Sequence, residues 1–160
     1  MDNPPKGLVP AAPVHVERLV RRLRTEHVRE IADTSGLPPL DAVRLSLAAS
    51  VEAYTLIRPT GDVLFMMGAE PASPLTGSAL LWMIGSHAMD RHPAAVLRAA
   101  SWGVERAFAV TGAHLLEQYI PAWYAIGLRF VERLGFEVTT AAAHCRSGCP
   151  LMHVFVRKQL

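Results

Sequence analysis

The chain has 160 residues, a length that suits one domain with a well-buried core. Apolar residues make up 51% of it and charged residues 19%, a balance that excludes a disordered chain and a coiled coil. The net charge is only +2, and basic residues are dense only between residues 18 and 29. That stretch is typical of a solvated helix face, so we do not expect nucleic-acid binding. No apolar run is long enough to predict a membrane span.

Residues 1–13, MDNPPKGLVPAAP, are rich in proline, and we interpret them as an N-terminal arm before a single domain at residues 14–160. Such an arm cannot form a helix and is expected to be disordered or laid on a partner. It lacks the basic and then apolar pattern of a signal peptide, which predicts a protein that is not secreted. Two cysteines are too few for a disulfide framework and favour a reducing compartment.

The first half of the chain predicts helices and then strands. Residues 14–16 alternate and predict a first strand, and apolar spacing from Glu17 onwards predicts a helix that ends at Gly36. Asp41 is expected to cap a second, short helix. Residues 51–58 and 63–69 predict a hairpin around a Pro-Thr-Gly-Asp turn, and residues 78–86 predict a third, buried strand.

The second half predicts helices alternating with strands. Pro93 suits the first turn of a long helix that reaches Gly112, and residues 114–120 predict a strand. Apolar spacing from Trp123 to Leu134 predicts another helix, followed by closing strands at residues 136–143 and 151–157. The order predicts an α/β (α+β) fold: a mixed, mostly antiparallel central sheet of about six to seven strands with helices on both faces.

This element order, together with Leu128-Arg-Phe-Val-Glu-Arg-Leu-Gly-Phe136, resembles the GCN5-related N-acetyltransferase (GNAT) superfamily. The chain also resembles a family of small GNAT-like proteins of short-tailed phages and prophages, one member of which is described as an internal virion protein. Further stretches carry this second resemblance: LSLAAS at 45–50, GAEPAS at 68–73, LLWMIG at 80–85 and RAASW at 98–102.

The GNAT resemblance implies an acetyl-CoA site at the end of the strand at residues 78–86. There the family offers backbone groups to the pantetheine arm, and the next helix N-terminus holds the pyrophosphate through a glycine-rich loop. The positions that match are Met83, Ile84 and Gly85 for the backbone contacts, with Arg91 and His92 as side-chain contacts to phosphate.

Two departures from the family pattern predict a degenerate acetyl-CoA site. No glycine lies between Gly85 and Gly103, Asp90 brings a negative charge, and Pro93 removes a backbone donor. Where many relatives place a tyrosine as general acid, this chain has Val131, which cannot donate a proton. Tyr124 lies two helical turns earlier and is a poor substitute by spacing. We therefore assign no catalytic residue; Glu52, Glu70 and His87 are the candidates for a general base.

A His-Cys-x3-Cys-x3-His cluster is formed by His144, Cys145, Cys149 and His153. It is compatible with zinc, with a cross-strand disulfide or with ordinary thiols. In an extended chain His144 points away from the face that holds Cys145, so four ligands do not converge. We predict thiols and no metal.

Two functional hypotheses follow. The first is a phage-encoded GNAT-fold virion or assembly protein that binds other virion proteins or itself, in the host cytoplasm or the particle, with no cofactor. The second is an active N-acetyltransferase that uses acetyl-CoA and an unknown amine.

Overall fold

A computed structural model describes residues 3–160, which form seven strands and five α-helices. The strands are β1 (Leu8–Pro10), β2 (Glu52–Ile57), β3 (Val63–Ala69), β4 (Ser78–Gly85), β5 (Leu115–Pro121), β6 (Glu137–His144) and β7 (Pro150–Arg157). The helices are α1 (Pro13–Arg21), α2 (Thr25–Thr34), α3 (Pro39–Ala49), α4 (Pro93–Thr111) and α5 (Ala125–Arg133), and a 3-10 helix spans His87–Arg91. No helix in this described part is long and apolar enough to cross a membrane.

The strands form one sheet in the order β1-β2-β3-β4-β5-β7-β6. All neighbouring strands are antiparallel except β4 and β5, which are parallel and are joined through α4. Every residue of β3 is buried, because this continuous apolar strand lies inside the sheet with helices over both faces. The predicted mixed, mostly antiparallel sheet with helices on both faces is therefore confirmed.

Two hydrophobic clusters lie on the two sides of the sheet. Phe65 and Met67 of β3 belong to the larger cluster, which includes Val96 and Ala100 of α4. Met66 belongs to the smaller cluster, together with residues of α1, α2 and α3. Alternate side chains of a strand point to opposite faces, so one strand anchors both helical layers.

The prediction of a first strand at residues 14–16 is wrong. These residues lie in α1, where Pro13 occupies an early helical position that needs no N–H donor. The first strand is Leu8–Pro10, which pairs with β2 and places part of the predicted N-terminal arm at the edge of the sheet. Residues 1–2 of that arm lie outside the described residues.

The single helix predicted from Glu17 to Gly36 is two helices, α1 and α2, separated by Arg22–Arg24. The break is held by backbone contacts with the end of β4: the Arg24 N–H donates to the Gly85 carbonyl, and the His87 N–H donates to the Arg22 carbonyl. Apolar spacing continues through the break because Leu23 is buried, so periodicity alone cannot reveal it.

Strands β4 and β5 diverge, which creates space within the sheet. They pair only from Ser78 to Leu80 on β4 and from Leu115 to Glu117 on β5. Beyond these residues β5 stays paired with β7 up to Pro121, whereas β4 continues to Gly85 along β3. The opening therefore widens toward the carboxyl ends of both strands.

Candidate functional site

A cavity of about 480 Å³ occupies the opening between β4 and β5, beneath α4 and α5. Its walls are mostly apolar, with contributions from Phe65, Leu97, Ile120 and Phe130. Polar groups enter at few points, which is typical of small-molecule sites.

A buried polar network closes one wall of this cavity. Tyr124 directly precedes α5, and its hydroxyl lies 3.0 Å from Arg24 Nη1 and 3.1 Å from His27 Nε2. The other ring nitrogen of His27 lies 2.9 Å from the backbone nitrogen of Gly85. The break between α1 and α2 places Arg24 and His27 over the end of β4, so the network joins three distant parts of the chain.

The backbone nitrogen and oxygen of Gly85 both contact one ring nitrogen of His27. His27 Nδ1 lies 2.9 Å from the Gly85 nitrogen and 3.1 Å from the Gly85 oxygen, and that oxygen also accepts the Arg24 N–H. Two arrangements satisfy these atoms: Nδ1 accepts from the Gly85 N–H while Nε2 donates to Tyr124, or Nδ1 donates to the Gly85 carbonyl while Nε2 accepts from Tyr124.

The Tyr124 oxygen accepts a hydrogen bond from Arg24, and the hydroxyl shares a second hydrogen bond with His27 Nε2. Burial raises the pKa of Tyr124 above its ordinary value, and Arg24 opposes the shift. The hydroxyl therefore stays protonated at neutral pH.

A second cavity of about 400 Å³ adjoins the first and is lined by residues of α2, β4 and β5 and of the β6–β7 hairpin. Glu30, Met83 and Gln118 line both cavities, so they mark the boundary between them. Burial raises the pKa of the Glu30 carboxyl to about 7, although Arg24 opposes the shift. The carboxyl at this boundary therefore exchanges a proton near neutral pH.

The structure brings together only part of the predicted cofactor site. Met83, Ile84 and Gly85 line the first cavity. Arg91 and His92 do not line it, although they directly precede Pro93, which does. Arg133, at the end of α5, is a lining residue that sequence reasoning missed.

The three general-base candidates lie apart. Glu52 is bound by Arg106 at 2.7 and 2.8 Å and by Tyr54 at 2.6 Å, and Arg106 holds the pKa of its carboxyl below the ordinary value. Glu70 lines the second cavity, and His87 is exposed and lines neither. Glu52 and His87 therefore do not lie at the boundary between the two cavities.

Val131 lines the first cavity, as the resemblance implies for the family's tyrosine position. Tyr124 lines the same cavity from the position just before α5. The helical spacing, which made Tyr124 a poor substitute in the sequence analysis, was therefore misleading. The sequence feature that indicates Tyr124 is its position shortly after β5, because ligands bind beside the carboxyl ends of strands where the sheet opens.

The cysteine cluster lies at the β6–β7 hairpin. Cys145 and Cys149 are free thiols, and Cys145 is buried. Across residues 3–160 no three His, Cys, Asp or Glu side chains are arranged to hold a metal ion. The turn is instead held by Asp33, whose carboxylate accepts hydrogen bonds from Trp123 Nε1 and from the Ser147 backbone and hydroxyl.

No protein-family model matches the chain, and no curated protein matches it in sequence. Solved structures of N-acetyltransferases do share its fold. The ribosomal-protein-alanine N-acetyltransferase from Brucella melitensis superposes with a TM-score of 0.68 at 14% identity, covering 94% of this chain and 99% of that one. Spermidine N-acetyltransferase from Vibrio cholerae, in complex with CoA and spermine, gives a TM-score of 0.68 at 8% identity over 94% of each chain. The fold is that of the GNAT acetyltransferases.

The lining of the first cavity leaves one buried hydrogen-bond donor for an oxygen of a bound ligand. The Gln118 side-chain nitrogen is buried at the boundary of the two cavities, with no hydrogen-bond acceptor among the described residues. A buried unpaired donor costs about 1–3 kcal/mol, which a ligand oxygen would recover. Tyr124 offers a second donor in the same cavity.

The buried network predicts acid sensitivity. Burial lowers the pKa of His27 to about 4, so between about pH 6.5 and pH 4 the unfolded chain binds a proton that the folded chain does not. His27 therefore contributes stability that is present above about pH 6.5 and lost as the pH falls, by about 3 kcal/mol at pH 4. Glu30 acts in the opposite direction, since its raised pKa costs stability as the pH rises through about 7.

We therefore expect the free energy of unfolding, measured with urea, to depend more strongly on pH in the wild type than in His27→Gln. Between pH 7.5 and pH 4 the free energy of unfolding of the wild type should fall by about 3 kcal/mol more than that of the variant. His87→Gln, at an exposed site, serves as the control and should follow the wild type. Parallel curves for wild type and His27→Gln would contradict a buried, neutral His27.

Proposed function

We propose that the protein is an acetyl-CoA-dependent N-acetyltransferase. The observation that carries this proposal is the cavity between the diverging strands β4 and β5, which holds a protonated tyrosine and an unpaired amide donor. The fold shared with N-acetyltransferases supports it.

In this proposal the ends of β4 and β5 hold the thioester and pantetheine between them. Met83 and Gln118 border the reacting end, and apolar side chains of α4 and α5 cover the arm. The first turn of α4 offers unpaired backbone N–H groups at Ala94 and Ala95, because Pro93 begins the helix. Together with Arg133, these groups are the proposed phosphate contacts and replace a glycine-rich loop.

Acetyl-CoA supplies the acyl group as a thioester. Glu30 accepts a proton from the incoming ammonium, whose nitrogen then bonds to the acyl carbon as the carbon–sulfur bond breaks. Tyr124 donates its hydrogen to the departing sulfur, and the phenolate so formed takes the second proton from the acylated nitrogen, which leaves a neutral amide and a free thiol. Arg24 and His27 keep the hydroxyl oriented. The proton transfers thus use Glu30 at the boundary between the cavities and Tyr124 in the first cavity.

Arg133→Ala should weaken CoA binding about tenfold, since it removes one charge-assisted phosphate contact. The matched control is Arg129→Ala, an exposed arginine of the same helix that does not line the cavity. Titration calorimetry with CoA measures both. Equal affinities for the two variants would contradict the phosphate role of Arg133.

The proposal is tested by thiol release from acetyl-CoA in the presence of a panel of amines. We expect amine-dependent release, with an acetylated product identified by mass spectrometry. Absence of release with every amine, together with no CoA binding at millimolar concentration, would overturn it.

The role in a phage particle stays a prediction. No comparison supports a virion partner, and the departures at residues 86–93 are offset by the contacts proposed around α4 and Arg133.

A further inference from the structure

Acidic side chains outnumber basic ones in the lining of the second cavity. Carboxylates line it at three points: Glu30 and Asp33 on α2, and Glu70 just after β3. Arg146 and His144 of the β6–β7 hairpin also line it and oppose this charge. The Arg146 guanidinium is packed against Gly36, at the end of α2 away from β4.

The three carboxylates have different environments. Asp33 is saturated by Trp123 and Ser147, and these hydrogen bonds hold its pKa below the ordinary value, so it is a fixed negative charge. The Glu70 side chain has no hydrogen bond or ion pair with any described residue. Glu70 is thus an available anion within a cavity, and its backbone is fixed because its N–H donates to the Leu80 carbonyl.

Glu70 lies at one end of the second cavity, and Glu30 and Met83, where the acyl group would be transferred, lie at the other end. Glu70 lies beside Leu80, where β4 and β5 are still paired, whereas Met83 and Glu30 border the first cavity. Met83 lies three residue steps along the strand from Leu80, a distance of about 10 Å. Between them the wall is apolar and aromatic, formed by Leu80, Leu81, Trp82 and Tyr119.

We infer that the second cavity binds the acceptor and selects a dicationic amine, with one ammonium at Glu30 for acetylation and a second at Glu70, joined by an apolar linker. This inference rests on the proposed function and adds the class of acceptor. The linker lies against Leu80 and Trp82, where a charged or strongly polar group would lose hydration without a partner. A carboxylate in place of the second ammonium would face Glu70 and be repelled.

The test compares three acceptors of similar length: 1,6-diaminohexane, hexylamine and 6-aminohexanoate. Thiol release from acetyl-CoA gives kcat/KM for each, and calorimetry on the CoA-bound protein gives affinities without turnover. We expect the diamine to exceed hexylamine at least tenfold in kcat/KM and 6-aminohexanoate to be the poorest of the three.

Glu70→Gln should reduce the preference for the diamine over hexylamine about tenfold, whereas Glu137→Gln, an exposed residue of β6, should leave it unchanged. Turnover with equal or reversed preference would overturn the inference and leave the acetyltransferase intact. A preference that survives in Glu70→Gln would overturn the role of Glu70. Absence of both CoA binding and turnover would refute the proposed function and this inference with it.

Discussion

Replacing Tyr124 with phenylalanine should lower kcat about a hundredfold and change the affinity for CoA only slightly. Among residues 3–160 the phenol is the one side-chain hydroxyl that lines the first cavity, and Arg24 and His27 hold it in place. Losing a general acid typically costs 10² to 10⁴ in rate. Steady-state thiol release and CoA calorimetry measure the two quantities separately.

Tyr54→Phe is the matched control for this variant. Its hydroxyl donates to Glu52 at 2.6 Å, away from the cavity between β4 and β5, so its loss should leave kcat within about twofold. A Tyr124→Phe enzyme with unchanged kcat would remove Tyr124 from the chemistry. A variant that loses CoA binding instead would indicate that the hydroxyl holds the ligand and does not transfer a proton.

Glu30→Gln should also lower kcat about a hundredfold, and it should remove the acidic limb of the pH–rate profile. Burial raises the pKa of the Glu30 carboxyl to about 7, so the wild-type rate should rise with pH up to about 7 as the base ionises, and then level off. The neutral amide keeps the shape of the side chain but accepts no proton.

Glu132→Gln, an exposed residue of α5, controls for the loss of a surface charge and should keep the wild-type profile. A Glu30→Gln enzyme that retains the rise in rate near pH 7 would show that another group supplies the base. Measuring kcat at saturating amine is essential, because the fraction of unprotonated amine in solution also changes with pH.

The sheet was predictable because its strands carry strong local signals. The hairpin of β2 and β3 has a Pro-Thr-Gly-Asp turn, and β4 is apolar along its length, so the mixed sheet followed from composition and period. Edge strand β1 was missed because its three residues lie among prolines and gain their pairing from β2 alone.

The candidate site was only partly predictable. Met83, Ile84 and Gly85 followed from the GNAT resemblance, which implies backbone contacts at the end of this strand, and the structure places them in the wall of the first cavity. The network of Arg24, His27 and Tyr124 did not, because it depends on contacts between residues about a hundred positions apart. Arg24 is buried although it lies in a basic run that is typical of a solvated surface, so tertiary contacts reversed the local signal.

Calorimetric titration of CoA into wild type, Ala94→Trp and Ala109→Trp tests the central claim most directly. Ala94 is exposed and lines the mouth of the cavity in the first turn of α4, whereas Ala109 is exposed near the other end of that helix and lines no part of the cavity. The account predicts micromolar binding, about −8 kcal/mol, for wild type and Ala109→Trp, and a loss of at least tenfold for Ala94→Trp. No heat with wild-type protein at millimolar CoA, or equal binding by both tryptophan variants, would contradict it.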